Sequence, residues 1–175
     1  MRPPPFQITV RLPVSFGTYF LAEEESPLED NGVEQIFNTN TLGTVTGEGH
    51  AAFMAGTHTG DIILTLTASD SEPPLNLSDW DIVVDLTYIS PRGEAVIIKS
   101  GGEEHPDLRG RSPMRGVPGK YKIRAHARGR SAGHLAEGQF PGDQEPPEHH
   151  LICVWPAPHA DEGETVHQTD SFADT

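Results

Sequence analysis

Val117-Pro118-Gly119-Lys120-Tyr121-Lys122-Ile123-Arg124-Ala125-His126-Ala127-Arg128 is the stretch that decides the fold. From Lys120 onward, cations and one histidine alternate with Tyr121, Ile123, Ala125 and Ala127. A side-chain period of two belongs to a β-strand that turns one face to a core and the other away from it. The same period runs through Phe6-Gln7-Ile8-Thr9-Val10-Arg11-Leu12, where Pro13 breaks it, and through Ile62 to Thr67. Val14 to Leu21 reads as a second strand. Trp80 to Ile89, the turn Ser90-Pro91-Arg92-Gly93 and Glu94 to Lys99 read as a hairpin. Ala51–Ala55 and His150–Trp155 are short apolar runs, the second closed by Pro156 and Pro158, as suits central strands.

The composition points the same way. Gly and Pro contribute 18 and 16 of the 175 residues, which leaves little room for long helices. Leu, Ile, Val and Phe supply only 39 residues, enough for one lean core with polar loops around it. The expected fold is therefore all-β: an antiparallel β-sandwich of jelly-roll or Ig-like type, with seven or eight strands and little helix. Residues 1–158 form the single domain, with loops at 22–43, 100–116 and 129–148. Residues 159–175 form an acidic, flexible tail. Within the first loop, Glu23-Glu24-Glu25 reads as a solvated charge run, Ser26-Pro27 as the start of a short helix and Asn31-Gly32 as a turn. One cysteine, Cys153, permits no internal disulfide and reads as a buried thiol. Neither a secretory leader nor an apolar run of membrane-spanning length is seen, so the expected compartment is the cytoplasm.

The net charge of −14 is unevenly spread. Residues 1–98 carry 3 basic and 14 acidic side chains, residues 99–130 carry 9 and 3, and residues 131–175 carry 0 and 9. Phosphate backbones need a basic face that the surrounding field does not outweigh, so nucleic acid is not an expected partner, and neither is a membrane.

Three motifs bear on chemistry. Gly129-Arg130-Ser131-Ala132-Gly133 matches the G-x-S-x-G nucleophile elbow, which works only on a strand-to-helix turn. No useful helix is expected after it, so it reads as a Gly-rich loop. Nine histidines raise the question of a metal, but the chain has no His-x-His pair of the cupin type. His50 and His58 are the weak metal candidates, and two ligands fall short of the three or four that zinc needs. No metal or other cofactor is expected. Lys122, Arg124, His126, Arg128 and Arg130 form the candidate binding surface, with alternate cations about 7 Å apart along one strand. Asp81, Asp85 or Glu148 could face and neutralise them. Trp80 and Trp155, at strand ends, read as core anchors.

Tyr121-Lys122-Ile123-Arg124-Ala125-His126-Ala127-Arg128-Gly129-Arg130, with Leu151-Ile152-Cys153-Val154-Trp155-Pro156-Ala157-Pro158, resembles the pattern of an uncharacterised family of small actinobacterial proteins. The resemblance covers roughly residues 40–170. It implies an all-β fold and a cytoplasmic setting, and carries no catalytic residues with it. The function expected from the chain is non-catalytic: a binding or regulatory protein, inhibitor- or immunity-like, that meets another protein through its polarised charge. The rival is a cupin-like small-molecule or metal site inside the sandwich, with or without catalysis. A homodimer whose sheets pair across a two-fold axis is compatible with either.

Overall fold

The computed structural model describes residues 2–23, 40–136 and 144–172. The suggested helix start at Ser26-Pro27 and the turn at Asn31-Gly32 lie outside these residues. Ten strands are described: β1 (Phe6–Val14), β2 (Thr18–Ala22), β3 (Gly43–Gly47), β4 (His50–Met54), β5 (Gly60–Ala68), β6 (Ile82–Ser90), β7 (Val96–Lys99), β8 (Gly119–Arg128), β9 (His149–Pro156) and β10 (Glu164–Gln168). Among the described residues one helix, α1 (Arg130–Leu135), interrupts them. No described helix is long and apolar enough to cross a membrane.

The strands form two sheets. The larger runs β1-β5-β9-β8-β6-β10 and the smaller β3-β4-β2-β7. All pairings are antiparallel except β5 with β9, so the larger sheet is mixed, not antiparallel throughout as expected. Alternation shows which strand faces the core, but not which strand lies beside it, so the parallel pair left no mark on the pattern.

The strand count also exceeds the expected seven or eight, in two places. β3 begins where the first loop was expected to end. β10 lies in the stretch expected to be a flexible tail, where Glu164 to Gln168 pair with β6 along the edge of the larger sheet. Pro13 does not end the first strand, which continues to Val14. β1 is an edge strand, and an edge can carry a residue that donates no ladder bond. Glu23 is buried rather than solvated: it accepts the Ser90 hydroxyl and the Glu94 amide.

Tyr121, Ile123, Ala125 and Ala127 of β8 do point inward. They join one apolar cluster with Leu64, Leu86 and Ile152 of the larger sheet and with Tyr19, Phe53 and Ile97 of the smaller.

Candidate functional site

Three polar assemblies stand around this core. The first is internal. Glu148, at the entry to β9, is fully buried. Its carboxylate accepts the amides of Gly56 (3.0 Å) and Thr57 (2.8 Å), the Thr57 hydroxyl (2.9 Å) and His150 Nε2–H (2.6 Å). With its proton on Nε2, His150 accepts the Tyr19 hydroxyl at Nδ1, 2.6 Å away. Burial alone would raise the Glu148 pKa, but the bond from His150 and the Thr57 and Gly56 amides outweigh it and hold the carboxyl below its ordinary value. Burial, with Glu148 nearby, pushes the Tyr19 phenol well up. The order acid, imidazole, hydroxyl is that of a catalytic triad. All three members are sealed from solvent, however, and a nucleophile that no substrate can reach is structural. The chain ties β9 to β2 and to the turn before β5.

This assembly also accounts for the G-x-S-x-G match. A helix does follow β8, contrary to expectation, and it is short. Gly129 turns the chain at φ 75°, and a Cβ there would lie 2.1 Å from the Pro147 carbonyl oxygen. A Cβ on Gly133 would lie 2.5 Å from both Glu148 Oε1 and Thr57 Oγ1. The two glycines admit the segment carrying Glu148. Ser131 is exposed, and among the described residues no hydrogen bond links it to a histidine.

The second assembly covers the outward face of β8. Arg124 grips Asp85 of β6 through two bonds, 2.8 and 3.1 Å, and reaches Glu72 at 3.2 Å and the Pro73 carbonyl at 3.0 Å. Its guanidinium lies 5.1 Å from the Trp155 ring centroid. His167 of β10 approaches Asp85 from the other side at 3.0 Å. Burial would raise the Asp85 pKa, but Arg124 and His167 bring it below the ordinary value. His126 packs against Trp80, and burial lowers its pKa. Of the acids expected to face the stripe, Asp85 meets Arg124, joined by Glu72 from the loop; Asp81 accepts the Gly129 amide instead.

Of the candidate surface, Arg124 and His126 therefore lie beneath the loop of residues 70–81 and β10. Arg130 has left the strand altogether: buried in α1, it donates to the Thr41 carbonyl at 2.8 Å and stands 3.4 Å from Asp170. Lys122 is half-buried, and Arg128 is exposed above Trp80. His50 is bonded to Thr46, while His58 lies on a loop against the Phe16 ring. Among the described residues, no group of three or more His, Cys, Asp or Glu comes together to hold a metal.

The third assembly is the outer surface. Among the described residues, three arginines (Arg115, Arg124, Arg130) and three carboxylates (Glu23, Asp85, Glu148) are buried, so burial there removes as much positive as negative charge from the surface of a chain whose net charge is −14. Part of that excess borders a groove of about 510 Å³ between β3 and the start of β10. Glu48, Glu162 and Glu164 stand on its walls, Val45, Leu86 and Ile89 supply apolar surface, and no lysine or arginine lines it. Glu164 is oriented by the Asn40 amide at 2.6 Å, and Glu48 and Glu162 are exposed. This groove was not foreseen, because its three acids come from segments more than a hundred residues apart.

No protein-family model and no curated protein matches this chain. Among solved structures, it is similar to the crocagin biosynthetic gene J protein, at 14% identity and a TM-score of 0.53, over 87% of this chain and 98% of that one. It also aligns with ComJ from Bacillus subtilis, described as an inhibitor of the DNA-degrading activity of NucA, at 12% identity and a TM-score of 0.49, over 90% and 98% of the two chains. At such identities the likeness to the first is one of fold.

Proposed function

We propose that this protein is a non-catalytic binding or regulatory protein, of inhibitor or immunity type, that receives a basic segment of another protein in the groove between β3 and β10. The observation that carries the reading is the groove's chemistry: three carboxylates, apolar surface between them and no cation. A lysine- or arginine-bearing segment would bury its aliphatic stems against Val45 and Ile89 and set its charges beside Glu48 and Glu162. The reading is also supported by the sealing of the Glu148–His150–Tyr19 chain, which removes the best-formed catalytic arrangement from reach. The finer fold belongs here as well: the two sheets stack as a sandwich, a reading supported by the single apolar cluster that draws on both. The actinobacterial resemblance is carried forward on the same footing, resting on the two sequence segments that show it.

The test is affinity capture from the native host with wild type and a Glu48→Lys/Glu162→Lys variant. Wild type is expected to retain a basic protein that elutes with rising salt, because exposed charge pairs are screened beyond about 8–10 Å at physiological ionic strength. The variant is expected to lose it. Capture of nothing, or of the same protein by both, would refute the reading.

A further inference from the structure

The geometry points to a second binding site, on a different face, for a small organic carboxylate with an apolar body. The site is a cleft of about 790 Å³ between the N-terminal segment and the loop that precedes β8. Its size lies within the range of small-molecule sites. Arg2, Arg111 and Arg115 line it, with Phe6, Val96 and Val117 as apolar walls.

The arginines differ in how they are held. Arg115 is buried, with its backbone at φ 55°, a region that non-glycine residues seldom occupy. Its guanidinium donates to the Pro3 carbonyl (3.1 Å), the Ser69 carbonyl (3.3 Å) and the Asp70 carboxylate (2.6 Å). It forms a fixed wall that already holds one carboxylate. Arg2 donates to the Tyr121 hydroxyl, 3.0 Å away, and Arg111 lies over the Phe6 ring, 6.0 Å from its centroid. Among the described residues neither meets a carboxylate, although the chain carries 26 acids to 12 lysines and arginines. The acid on the cleft wall, Glu94, stands 3.5 Å from Arg92. In so acidic a protein, three arginines on one cleft set a local positive field against the general negative one, and two of them have donors to spare.

The donors lining the cleft favour a carboxylate over a phosphate ester. A phosphate is best held by several backbone N–H groups converging on it. Here the Gly110 amide donates to Glu104, the Gly116 amide to the Gly93 carbonyl, and the Ser112 hydroxyl to the same carbonyl. Guanidinium edges are left; their fork pairs with two oxygens of either anion, but the converging amides that would serve a phosphate's further oxygens are already engaged, and a carboxylate needs none of them. The apolar walls add a preference for a ligand whose other end is hydrocarbon.

The test is a ¹⁵N-resolved NMR titration of the full chain with 4-phenylbutyrate, its neutral amide 4-phenylbutyramide, and phenyl phosphate. The carboxylate should shift the amides of Gly93, Gly110, Gly116 and Val117, and the neutral amide should not. Arg111→Glu should weaken binding at least about tenfold. Arg109→Glu, an exposed change that does not line the cleft, should leave it unchanged. Equal shifts with the neutral amide, indifference to Arg111→Glu, or tighter binding of phenyl phosphate would each overturn the assignment. The site shares no residue with the acidic groove, so either can fail without the other.

Discussion

Replacing Glu148 by Gln removes one charge from a fully buried polar group and changes its shape hardly at all. The amide oxygen can occupy the Oε1 position and keep the bonds from the Thr57 amide and hydroxyl. Its NH₂ then occupies the Oε2 position, facing the Gly56 N–H and His150 Nε2. His150 can adapt by moving its proton to Nδ1 and accepting at Nε2, with Tyr19 turning its hydroxyl away. The Gly56 amide has no such freedom, so two donors confront one another in a site without water access. An unsatisfied buried donor costs about 1–3 kcal/mol, and hydrogen bonds to a charged acceptor are worth about twice neutral ones. Together these give a loss of about 3–4 kcal/mol, a large share of a typical domain's stability. For a chain of this size that corresponds to a fall in Tm of about 6–16 °C. The folded-state pKa of Glu148 is depressed, so its ionisation contributes stability that is present above the unfolded carboxyl value. That contribution is lost as pH falls through the folded value. Urea unfolding followed by Trp80 and Trp155 fluorescence, repeated downward from neutral pH, should therefore show the wild type losing its advantage over Glu148→Gln in acid. A variant within about 1 kcal/mol of wild type at neutral pH, or one whose deficit persists unchanged in acid, would refute the account of Glu148 as the ionised hub of this chain.

Gly133→Ala should destabilise by at least about 1 kcal/mol although alanine is the better helix former, because its Cβ meets Glu148 and Thr57 at 2.5 Å; a rise in Tm would contradict the packing. Arg124→Met should cost about 3–5 kcal/mol by leaving Asp85 buried without its guanidinium partner, whereas Arg124→Met/Asp85→Leu should recover much of the loss; equal deficits in a denaturant-melt cycle would show that the pair does not act as one. Burial pushes the Cys153 thiol up to about 11. It should therefore resist alkylation in the folded protein at mildly alkaline pH and react at once in denaturant; fast native labelling would overturn its burial.

Much of the architecture was legible because alternation is a local property. The inward set Tyr121, Ile123, Ala125 and Ala127 followed from spacing alone. The hairpin expected around Ser90–Gly93 did not form: the turn carries the chain from one sheet to the other, β6 pairing with β8 and β10 and β7 with β2, because proximity in sequence does not fix which strand supplies the ladder partner. Where the chain misled, the missing information came from elsewhere in the structure. Pro13 breaks a strand only if its absent N–H is missed, and that depends on whether β1 is an edge. The 159–175 stretch lacks apolar alternation, yet β10 is held through polar ends, with Gln168 donating to the Trp80 and Leu77 carbonyls and His167 reaching Asp85. G-x-S-x-G was rightly set aside as an elbow, but the helix that follows it was missed, since six residues are too few to show a period.

By itself the sequence determined the charge imbalance, the scarcity of helix and the face that each long strand turns to the core, because these depend on residue identity and on the two-residue pitch of an extended backbone. Only the tertiary structure decided which cations would be solvated. Arg124, Arg128 and Arg130 share one stripe in the chain, yet the first is clamped beneath a loop, the second is exposed and the third is sealed behind a turn. Whether a guanidinium is a binding surface or a buried strut depends on what folds over it, and those covering residues are remote in sequence: Glu72 and Pro73 lie 52 and 51 positions from Arg124, and Thr41 lies 89 from Arg130.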